Sequence, residues 1–319
     1  MAYDVKTALS EIAPLIKAKK LIVLAGSGVS VASGLPTWDG LLHSFIEFFA
    51  TIRETLDDKL TAAAKSEIDE LLEDAKHSSA AHPLKVVTVL KNKLKEIQRD
   101  QSTNVDNLFK LHFTKLFINA VPNKNHELIV TTDYPYILTT NYDVLFEEAA
   151  KNKRLPRLYS RNYSFDEPDK VAAAIFDEKP SVLHLHGNIL NIAATEDFVF
   201  TAEDYVRIKR RHHGFTLAIQ SLFMRYSILY VGYGGSDPHL EEFAEELSHA
   251  LGWPSYPTFP VRNFIVLLES KVSRGGRINQ VIEKYQKITR TEIVALKDFS
   301  ETTVLLEELQ KLAPRTVDS

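Results

Sequence analysis

Short apolar runs recur along the chain and alternate with segments that have the spacing of amphipathic helices. Leu21 to Leu24 is an uninterrupted run of this kind, as expected for a strand that is buried on both faces of a parallel sheet. Further runs lie at Tyr136 to Thr139, Ser181 to Leu185, Ile228 to Val231, Phe264 to Leu268 and Glu292 to Leu296. Because strand–helix alternation is typical of parallel sheets, the sequence predicts an α/β fold with a Rossmann-like parallel sheet and helices on both faces.

Periodic apolar residues predict the helices that separate these runs. They lie at Val5 to Lys17, Leu41 to Phe49, Val144 to Lys151, Leu217 to Arg225, Leu240 to Leu251, Arg277 to Lys287 and Thr302 to Leu312. Residues 53–130 differ, because they contain no glycine and are rich in Ala, Lys, Glu and Leu. There we expect helices at Asp57 to Ala75, Leu84 to Arg99 and Asp106 to Phe117. This block is either a helical insertion or lid within a single domain of residues 1–319, or a helical layer that covers the sheet.

The composition argues against several classes of protein. Apolar residues make up 45% of the chain, enough for a buried core rather than a disordered segment. The 38 basic and 42 acidic residues give a net charge of −4, so direct nucleic-acid binding is not expected, and the basic cluster at Arg207 to His213 is typical of a solvated helix face. The chain has no cysteine, which excludes disulfides and thiolate metal sites. With no signal-peptide pattern and no apolar run near the roughly 18 residues of a membrane span, we expect a cytoplasmic protein.

Two of the predicted strands run into glycine-rich turns. The first turn contains Gly26, Ser27, Gly28, Ser30, Ser33 and Gly34, and the second contains Gly232, Tyr233, Gly234, Ser236 and Asp237. Glycine lets a backbone approach a ligand closely, and free N–H groups at a helix start attract phosphate. The first turn begins a G-x-G-x-x-G pattern, but position 31 is valine and no acidic residue closes a second strand about 20 residues later. Each turn is therefore either a ligand-binding loop or only a tight turn.

Polar side chains follow two other predicted strands. Thr140, Asn141 and Asp143 could bind a ligand at the strand end, although the local sequence alone favours a helix cap. His184 and His186 alternate onto one face of a strand, and their spacing does not support a metal site. His186 suits a general base near neutral pH, although such a histidine is more often a hydrogen-bonded core residue. All four turns lie at the carboxyl ends of strands, along the edge where a nucleotide would bind.

In their order and context, the four motifs resemble those of the sirtuin superfamily, the silent information regulator family. Its G-A-G-x-S-x-x-S-G-I-P motif is similar to residues 26–36, T-Q-N-x-D to residues 139–143, H-G to residues 186–187, and G-x-S to residues 232–237. Protein-deacylating sirtuins carry a four-cysteine zinc module and continue I-P with Asp-Phe-Arg. This chain has no cysteine and has Thr37, Trp38 and Asp39 at those positions. In these departures it resembles the prokaryotic sirtuin-like NAD hydrolases of antiphage defence, which carry T-T-N-Y-D and a Trp after the Pro.

The resemblance implies that NAD is the substrate, that no metal is needed, and that the products are nicotinamide and ADP-ribose. It assigns catalysis to Asn141, His186 and Asp143. It assigns NAD binding to Gly26, Ser27, Gly28, Ser30, Ser33, Gly34, Thr37, Trp38, Thr140, Gly232, Tyr233, Gly234, Ser236 and Asp237. It further implies the NAD-depleting effector of a bacterial antiphage system, a homo-oligomer served by a separate sensor or ATPase subunit. An NAD-dependent deacylase or ADP-ribosyltransferase stays open as an alternative, and so does a non-catalytic sensor of NAD or ADP-ribose.

Overall fold

A computed structural model describes most of the chain, in two compact units. The described residues are 2–78, 83–101, 105–190, 199, 201–234, 240, 242, 245, 246, 249, 262–272 and 290–316. The sheet unit comprises Met1–Gly34, Ala120–Asn188 and Arg211–Ser319, and the helical unit comprises Leu35–Asn119 and Ile189–Arg210.

Within the described residues, the sheet unit contains one sheet of eight strands. The strands are β1 (Ala2–Tyr3), β2 (Leu21–Ala25), β3 (Tyr136–Thr139), β4 (Asn162–Ser164), β5 (Ser181–His184), β6 (Ser227–Val231), β7 (Asn263–Leu268) and β8 (Thr291–Leu296). Their order is β1-β8-β7-β6-β2-β3-β5-β4, and every neighbouring pair is parallel. All their carboxyl ends therefore lie along one edge, as the sequence predicted. The predicted fold class is confirmed.

Helices follow most of the strands. In chain order they are α1 (Val5–Lys17), α2 (Trp38–Thr55), α3 (Ala62–Ser78), α4 (Pro83–Gln101), α5 (Val105–Phe117), α6 (Lys124–Thr131), α7 (Leu145–Asn152), α8 (Pro156–Tyr159), α9 (Pro168–Phe176), α10 (Ala202–Arg211), α11 (His213–Arg225), α12 (Glu269–Val272) and α13 (Ser300–Leu312). The predicted helix Leu240 to Leu251 falls mostly, and Arg277 to Lys287 wholly, outside the described residues. None of the described helices has the length and apolar character needed to cross a membrane.

Alternate strand residues face opposite layers of helices. Val23 and Ile137 belong to a buried apolar cluster that includes residues of α1, α6, α7 and α13. Tyr136, next to Ile137, points the other way, and its hydroxyl donates a hydrogen bond to Ile175 O of α9 at 3.3 Å. Helices therefore cover both faces of the sheet, which explains why its strands are uninterrupted apolar runs.

The helical unit has its own core. The rings of Phe45 and Phe48 on α2 pack against those of Phe109 and Phe113 on α5, with centroid separations between 5.5 and 6.4 Å. A buried ion pair joins α4 to α10, where Lys91 Nζ lies 2.8 Å from Asp204 Oδ1. That residues 53–130 form an insertion or lid within a single domain stays a prediction.

One predicted helix starts later than expected. Asp57 to Ala75 was predicted to be continuous, but α3 begins at Ala62, after a short turn at Asp57–Lys59. Leu60 is extended, with φ −87° and ψ 139°. The Thr61 hydroxyl accepts a hydrogen bond from the Ala64 N–H at 3.2 Å, so it caps the new helix.

The turns after β2 and β6, the two central strands, touch each other. The Gly26 N–H donates to Val231 O at 3.0 Å, and the Gly28 N–H donates to Gly232 O at 2.9 Å. A Cβ atom on Gly232 would lie 2.4 Å from Val29 N, and one on Gly28 would lie 2.8 Å from Gly232 Cα. The glycines are therefore required where two backbones meet. This contact lies at the point where the chain switches from one side of β2 to the other, the usual position of a ligand crevice in such sheets.

Replacing Gly232 by alanine should destabilise the protein more than the same change at Gly34. Both residues have positive φ, +62° and +82°, so each alanine carries a left-handed strain of about 1–2 kcal/mol. A Cβ at position 34 meets nothing within 4 Å, whereas one at position 232 meets the backbone of Val29 and Gly28. The free energy of unfolding in urea should fall further for Gly232→Ala. Equal losses in the two variants would show that the contact between the turns is not tight.

Candidate functional site

Asn141 and His186 leave two neighbouring strands at the same edge of the sheet. The parallel register pairs Thr139 of β3 with His184 of β5, and each candidate follows its strand by two residues. Both are buried, with 6% and 5% of their surface exposed. The His186 ring lies 6.4 Å from the ring of Tyr142, measured between centroids. The structure thus brings the predicted carboxamide and imidazole to adjacent strand ends.

The Asn141 side chain is tied to the turn that follows β2. Its Nδ2 donates to Gly26 O at 3.3 Å and to Ser30 Oγ at 3.1 Å. Because a backbone carbonyl can only accept, this contact fixes the orientation of the amide. The Asn141 N–H donates to Thr139 Oγ1 at 3.0 Å, so the backbone is held as well.

Ser30, which is 1% exposed, is the centre of a buried hydrogen-bond network. Its hydroxyl donates to Asp143 Oδ2 at 2.8 Å and accepts from Asn141 Nδ2. Its other neighbour is His126 Nε2 at 3.2 Å. Since the serine has one proton and gives it to Asp143, His126 Nε2 must be the donor in that contact.

His126 was not singled out from the sequence. It lies at the start of α6, where its Nδ1 accepts a hydrogen bond from the Asn123 N–H at 3.2 Å. The Asn123 Nδ2 donates to Val29 O at 2.7 Å and to Ser33 Oγ at 3.0 Å, so the start of α6 clamps the turn after β2. Burial lowers the pKa of His126 to about 4, which agrees with a neutral ring protonated on Nε2. The sequence feature that could have indicated His126 is its position three residues after Asn123. The two residues form a capping box with histidine at its last position.

Asp143 accepts hydrogen bonds on both carboxylate oxygens. Oδ2 accepts from Ser30, and Oδ1 accepts from the N–H of Leu145, the first residue of α7, at 3.2 Å. Burial raises the pKa of Asp143, while the hydrogen bonds from Ser30 and Leu145 oppose that shift. This contact lies at the start of α7, but the N-cap residue of that helix is Val144, one position after Asp143. A catalytic function of Asp143 stays a prediction.

His184 is fully buried and has two polar neighbours. Its Nε2 lies 2.7 Å from Glu147 Oε1 of α7, and its Nδ1 lies 3.3 Å from the backbone oxygen of Asn141. Glu147 is 4% exposed. The alternation along the strand places His184 on the same face as His186, but no sequence pattern indicates Glu147 as its partner, because the two are 37 positions apart in the chain.

The other predicted binding residues divide among several places. Thr140 is half-buried, and its N–H donates to Ala25 O at 3.2 Å. Tyr233 is buried, with its ring 5.5 Å from that of Tyr230, whereas Gly234 is exposed. Thr37 and Trp38 belong to the helical unit, where Thr37 is the N-cap of α2. Ser236 and Asp237 lie outside the described residues.

The predicted phosphate cradle in the turn after β2 is only partly available. The N–H groups of Gly26 and Gly28 already donate to the turn after β6. Ser27 and Gly28 are half-buried, and Gly34 is an exposed left-handed residue that ends a 3-10 turn. A diphosphate at this turn, which stays a prediction, would therefore use other donors than those two. Among the described residues, no group of three or more His, Asp or Glu side chains could hold a metal ion.

Comparison with known proteins supports the resemblance. Residues 135–289 match the family model of the SIR2-like domain, which includes the motifs of Asn141, His186 and Gly232. The NAD(+) hydrolase ThsA of Cytobacillus dafuensis is 23% identical over 256 residues, which are 79% of this chain and 43% of that protein. The NAD(+) hydrolase ThsA of Enterococcus faecium is 22% identical over 201 residues, 59% of this chain and 40% of that protein. The chain thus spans less than half the length of these curated relatives.

Replacing Ser30 by alanine should lower the free energy of unfolding by about 1–3 kcal/mol. The change leaves Asp143 Oδ2 and His126 Nε2 without the hydroxyl that both contact in a buried site. Ser10→Ala is the control, since Ser10 is an exposed serine with one hydrogen bond to the backbone of Thr7. Urea unfolding of both variants measures the difference. If Ser30→Ala is no more destabilising than Ser10→Ala, the network does not stabilise this site.

Stability should fall in acid because of His126. Its folded pKa is about 4, below the ordinary histidine value of about 6.5, so the unfolded chain binds the proton more readily. The stabilisation is complete above about pH 6.5 and is lost as the pH falls towards 4. Relative to its value at pH 7.5, the unfolding free energy at pH 4.5 should fall about 2 kcal/mol further in the wild type than in His126→Gln, which cannot titrate. Parallel pH profiles of the two proteins would contradict a neutral buried His126.

Proposed function

We propose that this chain is an NAD glycohydrolase. Residues 135–289 match the family model of the SIR2-like domain, which supports this proposal. The chain would bind NAD at the carboxyl edge of the sheet and cleave the bond between nicotinamide and ribose, giving nicotinamide and ADP-ribose. The observation that carries this proposal is the pairing of buried Asn141 and His186 at adjacent strand ends, with Asn141 fixed against the turn after β2. The two relatives named NAD(+) hydrolase support it.

The chemistry asks three things of the site. Nicotinamide leaves as a neutral molecule because its ring nitrogen is cationic in NAD, so the departure needs no general acid. Positive charge then develops on the ribose, as in other glycoside cleavages with an oxocarbenium-like transition state. The protein must orient the ring, stabilise that charge and supply an activated water.

The orientation of Asn141 suggests how it contributes. Its Nδ2 is engaged by Gly26 O and Ser30 Oγ, so we infer that it offers Oδ1 to the substrate. That oxygen would accept a hydrogen bond from a ribose hydroxyl or from the attacking water near the anomeric carbon. His186 would take the proton from the same water or hydroxyl as general base, a contribution of roughly 10²–10⁴-fold. The Asp143 carboxylate would support the developing cation through its charge.

The remaining predicted contacts belong to this proposal as well. The turn after β2, with Ser27, Ser30, Ser33 and Gly34, would lie along the diphosphate. Gly232, Tyr233, Gly234, Ser236 and Asp237 would line the adenosine ribose, and Thr140 would lie beside the nicotinamide ribose. Thr37 and Trp38 stay predicted NAD-binding residues. The glycines where the turns after β2 and β6 meet have no side chains, so a ligand could approach the backbone closely there.

We further propose a biological setting from the sequence resemblance. The chain would be the NAD-depleting effector of bacterial antiphage defence, acting in the cytoplasm as a homo-oligomer with a separate sensor or ATPase subunit. Light scattering of the purified chain gives its assembly size. An effector of this kind must rest in an inhibited state, so the cleavage assay is made on the purified protein and also on cells that express it.

Incubating the purified chain with NAD should release nicotinamide and ADP-ribose in equal amounts, measured by liquid chromatography. Expression in bacteria should lower cellular NAD. His186→Ala should reduce the release by at least roughly 10²-fold. His213→Ala, at an exposed histidine that begins α11, should leave it unchanged.

The same assay separates the alternatives. Release that requires an added acyl-lysine peptide would replace the proposal by a deacylase. Binding of NAD or ADP-ribose without release, in the test tube and in cells, would replace it by a sensor.

A further inference from the structure

The buried pair of His184 and Glu147 has no part in the mechanism above. His184 ends β5 and is 0% exposed. Its Nε2 faces Glu147 Oε1 at 2.7 Å, and its Nδ1 faces the backbone oxygen of Asn141 at 3.3 Å. One imidazole thus bridges a carboxylate on α7 and the residue proposed to hold the ribose.

Both atoms that face the imidazole are oxygens that accept hydrogen bonds. A backbone carbonyl can only accept, and an ionised carboxylate can only accept. A neutral imidazole carries one N–H and satisfies one such oxygen, whereas an imidazolium carries two and satisfies both. The competing arrangement moves the proton to Glu147, which would then donate to Nε2 of a neutral ring. The two arrangements differ in where one proton lies, and that difference can be measured.

The charges around His184 favour the imidazolium. Burial disfavours a charged ring, but the Glu147 carboxylate, its hydrogen bond and the Asn141 carbonyl outweigh that effect and raise the pKa of His184. Asp143, from the loop after β3, acts in the same direction. The residues opposite His184 on the neighbouring strands, Thr139 of β3 and Ser164 of β4, carry no charge.

We propose that His184 is a positioning residue, an imidazolium held by Glu147 that fixes the backbone carbonyl of Asn141 at the candidate site. Four hydrogen bonds then hold Asn141. Thr139 accepts from its N–H, His184 donates to its carbonyl, and Gly26 and Ser30 accept from its side chain. Losing the contact to the carbonyl would leave the backbone of Asn141 less firmly held, and a displacement of about 1 Å can lower a rate roughly 10²-fold.

The pH dependence follows from the sign of the shift. The folded pKa of His184 lies above its ordinary value of about 6.5, so the stabilisation by the pair is fully present below about pH 6.5. It is lost as the pH rises through the folded pKa. We therefore expect kcat to fall on the alkaline side as His184 loses its proton, an expectation that rests on the proposed NAD hydrolysis.

The first test needs no substrate. In the full chain labelled with ¹⁵N-histidine, a long-range ¹H–¹⁵N correlation spectrum shows which ring nitrogens carry protons, and His184→Asn identifies the signal. At pH 7.5 we expect both His184 nitrogens to be protonated. A ring with one bare nitrogen at that pH would overturn the proposal, because it would correspond to the neutral pair with the proton on Glu147.

The second test uses Glu147→Gln, which keeps the shape and an acceptor oxygen but removes the charge. We expect the alkaline limb of the kcat–pH profile to move to lower pH and kcat at pH 8 to fall roughly 10- to 100-fold, with less change in KM. Glu148→Gln is the matched control, since Glu148 is the exposed neighbour on the same helix. An unchanged profile in a folded Glu147→Gln would also overturn the proposal.

The two readouts separate this inference from the proposed function. If the wild-type chain releases no nicotinamide in the test tube or in cells, the proposed function fails while the spectrum still decides the charge of His184. If nicotinamide is released and is lost in His186→Ala, the proposed function holds. The kcat–pH profile of Glu147→Gln then decides whether His184 positions Asn141.

Discussion

The hydroxyl group of Ser30 joins three segments that are far apart in the sequence. It contacts His126, Asn141 and Asp143, which lie 96, 111 and 113 positions away. The group has one proton to donate and two lone pairs to accept with, and all three are used. The direction of each hydrogen bond then follows from the others. The Asn123 N–H donates to His126, His126 donates to Ser30, and Ser30 donates to Asp143. A buried network of this kind stabilises one arrangement only when each member is satisfied, so the turn after β2, the start of α6 and the loop after β3 stabilise one another.

The glycines of the turns after β2 and β6 allow the two backbones to pack directly against each other. Gly26 and Gly28 meet Gly232 at distances that leave no space for a Cβ atom. Their N–H groups are consumed in that contact, although a glycine-rich turn after a strand usually suggests phosphate binding. The consequence for a ligand is indirect. Two turns packed this closely leave no room for side chains at the switch point of the sheet, and the donors for the proposed diphosphate would have to come from neighbouring residues.

Two buried carboxylates beside the candidate site are stabilised in different ways. Asp143 is surrounded by uncharged donors, the Ser30 hydroxyl and the Leu145 N–H. Glu147 faces a histidine that can take up a full positive charge. In the arrangement we infer, the Glu147–His184 pair is neutral as a whole, and Asp143 lies near Asn141 with both carboxylate oxygens hydrogen-bonded. A carboxylate held by hydrogen bonds without a paired cation can stabilise positive charge on a ribose, which links the packing to the proposed chemistry.

The sequence by itself determined the parallel sheet, the bounds of α1 and the bounds of β3. These features follow from local patterns, since apolar runs mark buried strands and helical spacing marks Val5–Lys17. Short elements such as β1 and β4 were not predicted, because two or three residues give no period to recognise. Only the tertiary structure decided which polar groups meet: His126 with Ser30, Glu147 with His184, and Gly28 with Gly232. Hydrogen bonds and close backbone contacts depend on distances between segments that are far apart in the sequence. The order and register of the strands and the packing of the helices set those distances, and local spacing does not.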